Sequence, residues 1–276
     1  MLQFIKTTPV LTASCAALLL FTVSSCKKDE TSAETQAQLD KATLMLQANN
    51  SLVRSSVNTG QGNQEKASGV QDNTVDDRCG AVTAMPADLF TFPKTLTFDY
   101  GTGCTDALGV DRAGSYTVNL QKIWEAGTTS SVQYADYSEN GVVMNGSLAF
   151  SNTSTNTGLG FELVATNLKR KEVSGAETTV QSSLALKQTA GAITFWNWSD
   201  DVFEVTGTAS YQLANGETGA LTIVTPLVKA NNCAWYNKGT ATLVINGQTM
   251  DVDFGNGTCD NEATVTINGS SFVIKL

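Results

Sequence analysis

The sequence predicts an all-β protein whose chain forms an antiparallel meander of about 12 strands. Three observations lead to this fold class. Apolar and polar residues alternate with a period of two through most of residues 79–276. Asn-Gly pairs, which favour tight hairpin turns, separate several of the alternating segments. No segment of this region keeps the helical period of about 3.6 residues. An extended sheet, a sandwich and a partly rolled barrel are all compatible with this pattern.

The alternating segments are rich in Val, Thr, Tyr and Phe, the residue types that β-strands favour. A short strand is also expected at the start of Leu96–Cys104. The other predicted strands are Ser115–Trp124, Ser130–Tyr137, Val142–Phe150, Leu159–Thr166, Thr179–Lys187, Val202–Leu213, Leu221–Val228, Thr240–Ile245, Met250–Phe254, Ala263–Ile267 and Phe272–Leu276. The pairs that supply the two positive-φ positions of a type I′ turn are Asn140-Gly141, Asn215-Gly216, Asn246-Gly247 and Asn268-Gly269.

The first 25 residues have the pattern of an export signal. Lys6 precedes an apolar run from Val10 to Val23, which is shorter than the roughly 20 residues that a membrane span needs. The run ends in Val23-Ser24-Ser25-Cys26, which resembles the lipobox of bacterial lipoproteins. Residues 1–25 are therefore predicted to be a signal peptide, and Cys26 the lipid-modified first residue of the mature protein. An ordinary secretory signal and an uncleaved anchor are the alternatives.

The residues that follow Cys26 predict the cellular location of the protein and a flexible tether. Lys27 stands where an Asp often retains lipoproteins in the inner membrane, so the outer membrane is favoured. Lys27–Glu30 resembles the signal that directs Bacteroidota lipoproteins to the cell surface, and a periplasm-facing position is the alternative. We expect residues 26–78 to be a flexible tether, with one short amphipathic helix in Ser32–Asn49 and a disordered linker in Ser55–Asp77. Residues 79–276 form the β body.

Composition excludes several function classes. The chain has 26 acidic and 17 basic side chains, for a net charge of −9, and loss of Lys6 with the signal makes the mature chain one unit more negative. Such a balance argues against nucleic acid as a partner and against electrostatic docking on anionic lipid. Because the sequence has no histidine, His-based triads, His general bases and His-ligated metals are excluded.

Two matching boxes predict the disulfide pairing. Four cysteines remain in the body, and an even number in an oxidising compartment indicates disulfides with three possible pairings. The boxes Leu96–Cys104 and Met250–Cys259 share a short strand followed by Asp, an aromatic residue, two glycines and Cys. Each box cysteine has a partner about 25 residues upstream, and closing such a loop stabilises by about 3–4 kcal/mol. The repeat selects the pairs Cys79–Cys104 and Cys233–Cys259.

The body also resembles a family of uncharacterised Bacteroidota cell-envelope lipoproteins. The resemblance covers most of the body, and it implies a lipid-anchored single body without assigning an activity. The segments that carry it are 92–104, 139–150, 200–211, 223–233 and 250–269.

The strongest candidate for a binding site is the segment around Trp196 and Trp198. On a strand, two indoles two residues apart share one face and form an apolar platform under a neutral glycan or a peptide. Asp200 and Asp201 follow and would accept hydrogen bonds from the ligand. Packing of both rings in the core is the alternative. Two carboxylic acids can also catalyse glycoside hydrolysis, so Asp200 and Asp201 allow a catalytic interpretation. Adjacent acidic residues in a loop, however, are usually only exposed to water.

No catalytic constellation, cofactor or metal site is predicted. Asp253, Asn256, Asp260 and Glu262 have oxygen atoms that calcium accepts, but acidic and amide residues beside glycine are ordinary turn formers. We therefore expect a non-catalytic binding module at the outer membrane surface. A structural or assembly component of the envelope is the alternative, and a glycoside-acting enzyme is less favoured.

Overall fold

The structure, a computed structural model, describes residues 31–67, 79–88, 90–105, 110–122, 125–156, 158–192 and 198–276. For residues 54–67 and for Trp198 it describes the backbone. The predicted signal peptide, Cys26 and Trp196 lie outside the described residues.

The described chain folds into one long helix followed by a series of strands. A short 3-10 helix, Trp198–Asp200, interrupts the series before β9. The elements are α1 (Ala33–Ala67), β1 (Ala81–Met85), β2 (Lys94–Asp99), β3 (Cys104–Thr105), β4 (Asp111–Leu120), β5 (Thr129–Glu139), β6 (Val142–Asn152), β7 (Gly160–Lys171), β8 (Glu177–Ala190), β9 (Val202–Leu213), β10 (Thr218–Ala230), β11 (Lys238–Ile245), β12 (Gln248–Asn256), β13 (Glu262–Ile267) and β14 (Ser270–Lys275).

All strands in the described part of the chain belong to one antiparallel sheet, and the predicted meander is confirmed. The sheet has 14 strands in the order β1-β2-β4-β5 and then consecutively to β14, with the two-residue β3 paired to β4 beside this path. Strands β1 and β14 are the two edges, so the sheet is open. Because the strands form one open sheet, the two-sheet sandwich that the sequence also allowed is not the arrangement observed.

Hairpin turns set the register, largely as predicted. Both residues of Asn140-Gly141, Asn246-Gly247 and Asn268-Gly269 have positive φ, which is the type I′ geometry. The prediction for Asn215-Gly216 was wrong, because only Gly216 has positive φ there. Asn215 instead accepts a hydrogen bond from the Glu217 amide at 3.0 Å, and this side-chain-capped turn connects β9 to β10 through a wider loop.

The register aligns apolar side chains on one face of the sheet. One row crosses 11 strands, every member is buried, and all but Ser182 are apolar; it consists of Leu96, Val118, Val132, Leu148, Ala165, Ser182, Ala209, Leu221, Leu243, Met250 and Ile267. The neighbouring row on the opposite face is mainly hydroxyl-bearing, and it includes Thr95, Ser131, Ser183, Thr208, Thr222, Thr242, Thr266 and Ser271. The alternation of apolar and polar residues in the sequence therefore corresponds to an apolar inner face and a polar outer face of the sheet.

Helix α1 covers the inner face, and this corrects the predicted tether. The helix expected within Ser32–Asn49 begins at Ala33, but it continues to Ala67 through part of the segment expected to be a disordered linker. Its side chains at Leu39, Ala42, Met45 and Leu46 are at most 4% exposed. The helix contacts β7, β8, β11 and β14, so the sheet curves around it. The apolar side chains of α1 from Leu39 to Val53 therefore belong to the hydrophobic core of the protein.

Polar contacts fix the position of the helix along the sheet. The Tyr236 hydroxyl donates to Asn49 Oδ1 at 2.9 Å, and Asn50 Nδ2 donates to the Ala234 carbonyl at 3.0 Å. Lys41 Nζ lies 2.6 Å from Glu217 Oε1, and its hydrogen bond contributes most to lowering the pKa of that carboxyl. Asn49 and Asn50 are buried, and these hydrogen bonds satisfy one polar atom of each amide, while Asn49 Nδ2 and Asn50 Oδ1 have no partner in the described structure.

Candidate functional site

A cleft of the size of a ligand site lies between α1 and the edge strand β14. Its volume is about 560 Å³, within the range of roughly 300–1,000 Å³ typical of ligand sites. The turn between β7 and β8 closes its far side. The cleft is lined by Thr31, Gln36, Leu39, Asp40, Thr43, Leu44, Ser174, Ala176, Phe272, Val273, Ile274 and Lys275.

The cleft runs along the open edge of β14. Four consecutive residues, 272–275, line it, and because their side chains alternate between faces, the surface that they share is the edge itself. The two-residue turn at Asn268-Gly269 makes Ile267 and Ser270 a hydrogen-bonded pair. Hydrogen-bonded and non-hydrogen-bonded pairs alternate along an antiparallel ladder. The backbone N–H and C=O groups of Ser271, Val273 and Lys275 therefore point away from β13. Within the described ranges, no protein group pairs with them.

The walls of the cleft combine apolar and uncharged polar groups. Leu39, Leu44 and Phe272 supply the apolar surface. On the helix, Gln36 Nε2 donates to Asp40 Oδ1 at 2.8 Å, and on the strand, the Lys275 ammonium pairs with Glu262. The two charged groups thus already have partners, and the cleft is suited to an extended ligand that offers backbone-like donors and acceptors.

Both predicted disulfides are present. Cys79 and Cys104 are bonded with their α-carbons 5.7 Å apart, and Cys233 and Cys259 are bonded with theirs 5.5 Å apart. The first joins the chain just before β1 to β3, and the second joins the loop after β10 to the loop after β12. The first bond therefore fixes the chain before β1 to the sheet, and the second holds two loops at strand ends together.

The two boxes that carry these cysteines share a turn as well as a pattern. Asp99 Oδ1 accepts from the Gly101 amide at 2.9 Å, and Asp253 Oδ1 accepts from the Gly255 amide at 2.8 Å. The matching Asp is therefore the side chain that closes an Asx-type turn before the glycines.

The calcium alternative at the second box finds little support in these contacts. Asn256 accepts from Thr258 at 3.1 Å, Asp260 accepts from the Glu262 amide at 3.0 Å, and Glu262 pairs with Lys275. Among the residues that the structure describes, no group of three or more Cys, Asp or Glu is placed to hold a metal ion.

The predicted tryptophan platform is corrected at one of its two residues. Trp198 begins the short 3-10 helix, so it does not lie on a strand, and the shared strand face on which the platform depended is not formed there. Trp196 lies outside the described residues. The 3-10 helix ends at Asp200, and Asp201 leads directly into β9.

Of the two acids in this segment, one is exposed and one is buried. Asp200 is exposed. Asp201 is 3% exposed, and its Oδ1 accepts from Gln188 Nε2 at 2.8 Å. Burial raises the pKa of the Asp201 carboxyl, against the hydrogen bond from Gln188, which lowers it. Its backbone carbonyl also accepts from the Asn231 amide at 2.9 Å, so Asp201 connects β8, β9 and the loop after β10.

Sequence reasoning missed a cluster of tyrosines on β4, β5 and the turn after β2. Tyr116 lies with its ring centroid 5.8 Å from that of Tyr134 and 4.9 Å from that of Tyr137. The Tyr137 hydroxyl donates to Glu139 Oε1 at 2.7 Å, to which Arg112 also donates at 2.5 Å. Burial raises the pKa of both Tyr116 and Tyr137. Only the strand register brings these residues together, and alternation alone does not reveal it.

Comparison with known proteins finds no match. No protein family, no curated protein and no solved structure matches this chain. The resemblance to Bacteroidota envelope lipoproteins therefore stays a prediction from the sequence. In the described part of the chain, no helix combines the length and the apolar content that crossing a membrane requires.

Proposed function

We propose that the protein is a lipid-anchored binding protein of the cell envelope, without catalysis, that takes an extended peptide along β14. The observation that carries the proposal is the cleft of about 560 Å³ beside an edge strand with outward-directed backbone groups. An extended peptide adds to such an edge through main-chain hydrogen bonds, while pockets take its alternate side chains. A neutral glycan, the other ligand that the sequence suggested, lacks the regular spacing of donors and acceptors that β14 presents.

The proposed lipid anchor and the proposed location at the cell surface rest on the sequence. The apolar run that ends at Cys26 supports lipid modification, and Lys27–Glu30 supports display on the outer surface of the outer membrane. Two observations favour binding over catalysis. The chain has no histidine, and the buried Asp201 carboxyl is hydrogen-bonded to Gln188. The neutral walls of the cleft favour an uncharged segment over an anionic polymer.

A proline at position 273 tests the peptide proposal. The Val273 N–H points away from β13, so Val273→Pro removes one outward donor and leaves the ladder with β13 intact, as is tolerated on edge strands. Val273→Thr keeps the N–H and serves as the matched control. The probe is a fluorescein-labelled library of random hexapeptides, read by fluorescence anisotropy, with an array of neutral glycans measured in parallel.

We expect peptide binding to the parent and to Val273→Thr. Binding to Val273→Pro should be at least about fivefold weaker, because a net hydrogen bond contributes about 1 kcal/mol. Equal peptide binding by both variants would contradict addition to β14, as would retention on the glycan array alone. Self-association of the protein, seen as a concentration-dependent mass that Val273→Pro abolishes, would assign the edge to a second copy and would also overturn the proposal.

A further inference from the structure

The start of α1 limits how far the folded protein can lie from Cys26. Thr31 lines the cleft, and α1 begins at Ala33. Five residues of chain lead from Cys26 to Thr31, and a fully extended chain spans at most about 3.3–3.6 Å per residue. Whatever conformation this segment adopts, the α-carbons of Cys26 and Thr31 are at most about 18 Å apart.

That reach is short compared with the body. A compact domain of this length has a radius of gyration of roughly 18 Å, and hence a still larger outer radius. A body of this size cannot turn its Thr31 side away from a bilayer that holds Cys26. The tether of residues 26–78 expected from the sequence would have allowed free rotation, but packing of α1 in the core removes most of that length.

The surface near Thr31 is suited to contact with lipid. The turn after β7 contributes Ser174 and Ala176 to the same cleft as Thr31, and Val173 in that turn is 76% exposed. Lys171 directly precedes the turn and is exposed, whereas Lys169 pairs with Glu177 at 3.7 Å and Glu172 pairs with Arg170. An exposed apolar side chain with an exposed lysine two residues before it fits the boundary between headgroups and acyl chains, where valine is buried and ammonium groups meet phosphate.

We propose that the β7–β8 turn docks on the membrane surface, so that the cleft opens beside the bilayer. The proposal rests on the proposed lipid modification of Cys26. The lipid supplies the attachment, since the net charge of the chain is −9 and offers no general attraction to anionic lipid. The turn then sets the orientation, with Val173 at the interface and Lys171 on the headgroups. A peptide that reaches β14 is, in this arrangement, one that lies close to the membrane.

Quenching by lipid-bound nitroxide tests the orientation. The full-length lipidated protein, with Val173→Cys labelled by bimane, is reconstituted in vesicles of phosphatidylethanolamine and phosphatidylglycerol that carry nitroxide on their headgroups. A matched variant has 20 Gly and Ser residues inserted after Glu30, which adds a root-mean-square length of about 25 Å. A third variant adds Lys171→Glu to the labelled parent. Flotation of the vesicles reports the anchor separately.

We expect all three proteins to float and the label of the parent to be quenched. The insertion should reduce that quenching at least about twofold, because the turn is then free to leave the surface. Lys171→Glu should reduce it without changing flotation. Floating proteins whose labels are quenched equally with and without the insertion would overturn the docking proposal while leaving the anchor in place. Failure of the parent to float would overturn the anchor, and the docking with it.

Discussion

Truncation of a buried leucine in α1 distinguishes a core helix from a tether. Leu46 is 2% exposed and belongs to the core formed with the inner face of the sheet. In Leu46→Ala, alanine keeps the helical propensity of the position but leaves a cavity. Substitutions of this kind lower the free energy of unfolding by about 2–5 kcal/mol. For a protein of this size, about 3 kcal/mol lowers Tm by roughly 6–12 °C.

Thermal and urea denaturation followed by circular dichroism measure this change. The control is Gln36→Ala, an exposed position of the same helix, for which the free energy of unfolding should stay within about 0.5 kcal/mol of the parent value. If Leu46→Ala unfolds at the same temperature and urea concentration as Gln36→Ala, then α1 is not part of the core. The reasoning that shortens the tether would fail with it.

Three further predictions concern other parts of the molecule. Because a β-carbon at Gly219 would clash with Met45 Sδ, Gly219→Val should destabilise by about 1–3 kcal/mol, and Met45→Ala should partly restore stability in a double-mutant cycle measured by urea denaturation. Burial raises the pKa of Asp201, so the folded state holds its proton more tightly and loses stability as pH rises from the ordinary carboxyl pKa through the raised one; Asp201→Asn should flatten this fall when urea denaturation is measured as a function of pH. Cys26→Ala should abolish labelling by a fatty-acid analogue and leave the precursor uncleaved, and labelling equal to the parent would refute the anchor.

Most of the sheet could be predicted from the sequence because its two faces differ so strongly. The predicted strand Val202–Leu213 matches β9 residue for residue, since Phe203, Val205, Ala209 and Tyr211 are buried on one face while Thr208 and Ser210 face water. The cystines could be predicted because the two boxes repeat. β1 was missed, because its residues are mostly exposed and show little alternation in burial.

The role of α1 could not be predicted, because the helix is enclosed on more than one side. Asn49 and Asn50 are buried and hydrogen-bond across to Tyr236 and Ala234, so polar residues interrupt the apolar stripe from which an amphipathic helix is normally recognised. The candidate site was missed for a related reason. The cleft at β14 is formed by backbone groups at a sheet edge and by the packing of α1 beside that edge. Neither feature requires a distinctive residue type in the sequence.

Amide hydrogen exchange on the complex with a library-selected hexapeptide tests the central claim most directly. Peptide addition to β14 predicts added protection at the outward N–H groups of Ser271, Val273 and Lys275. The inward N–H groups of Phe272 and Ile274, which already pair with β13, should change little. Protection that appears instead on β1 or around Trp198–Asp201, with β14 unchanged, would contradict the account.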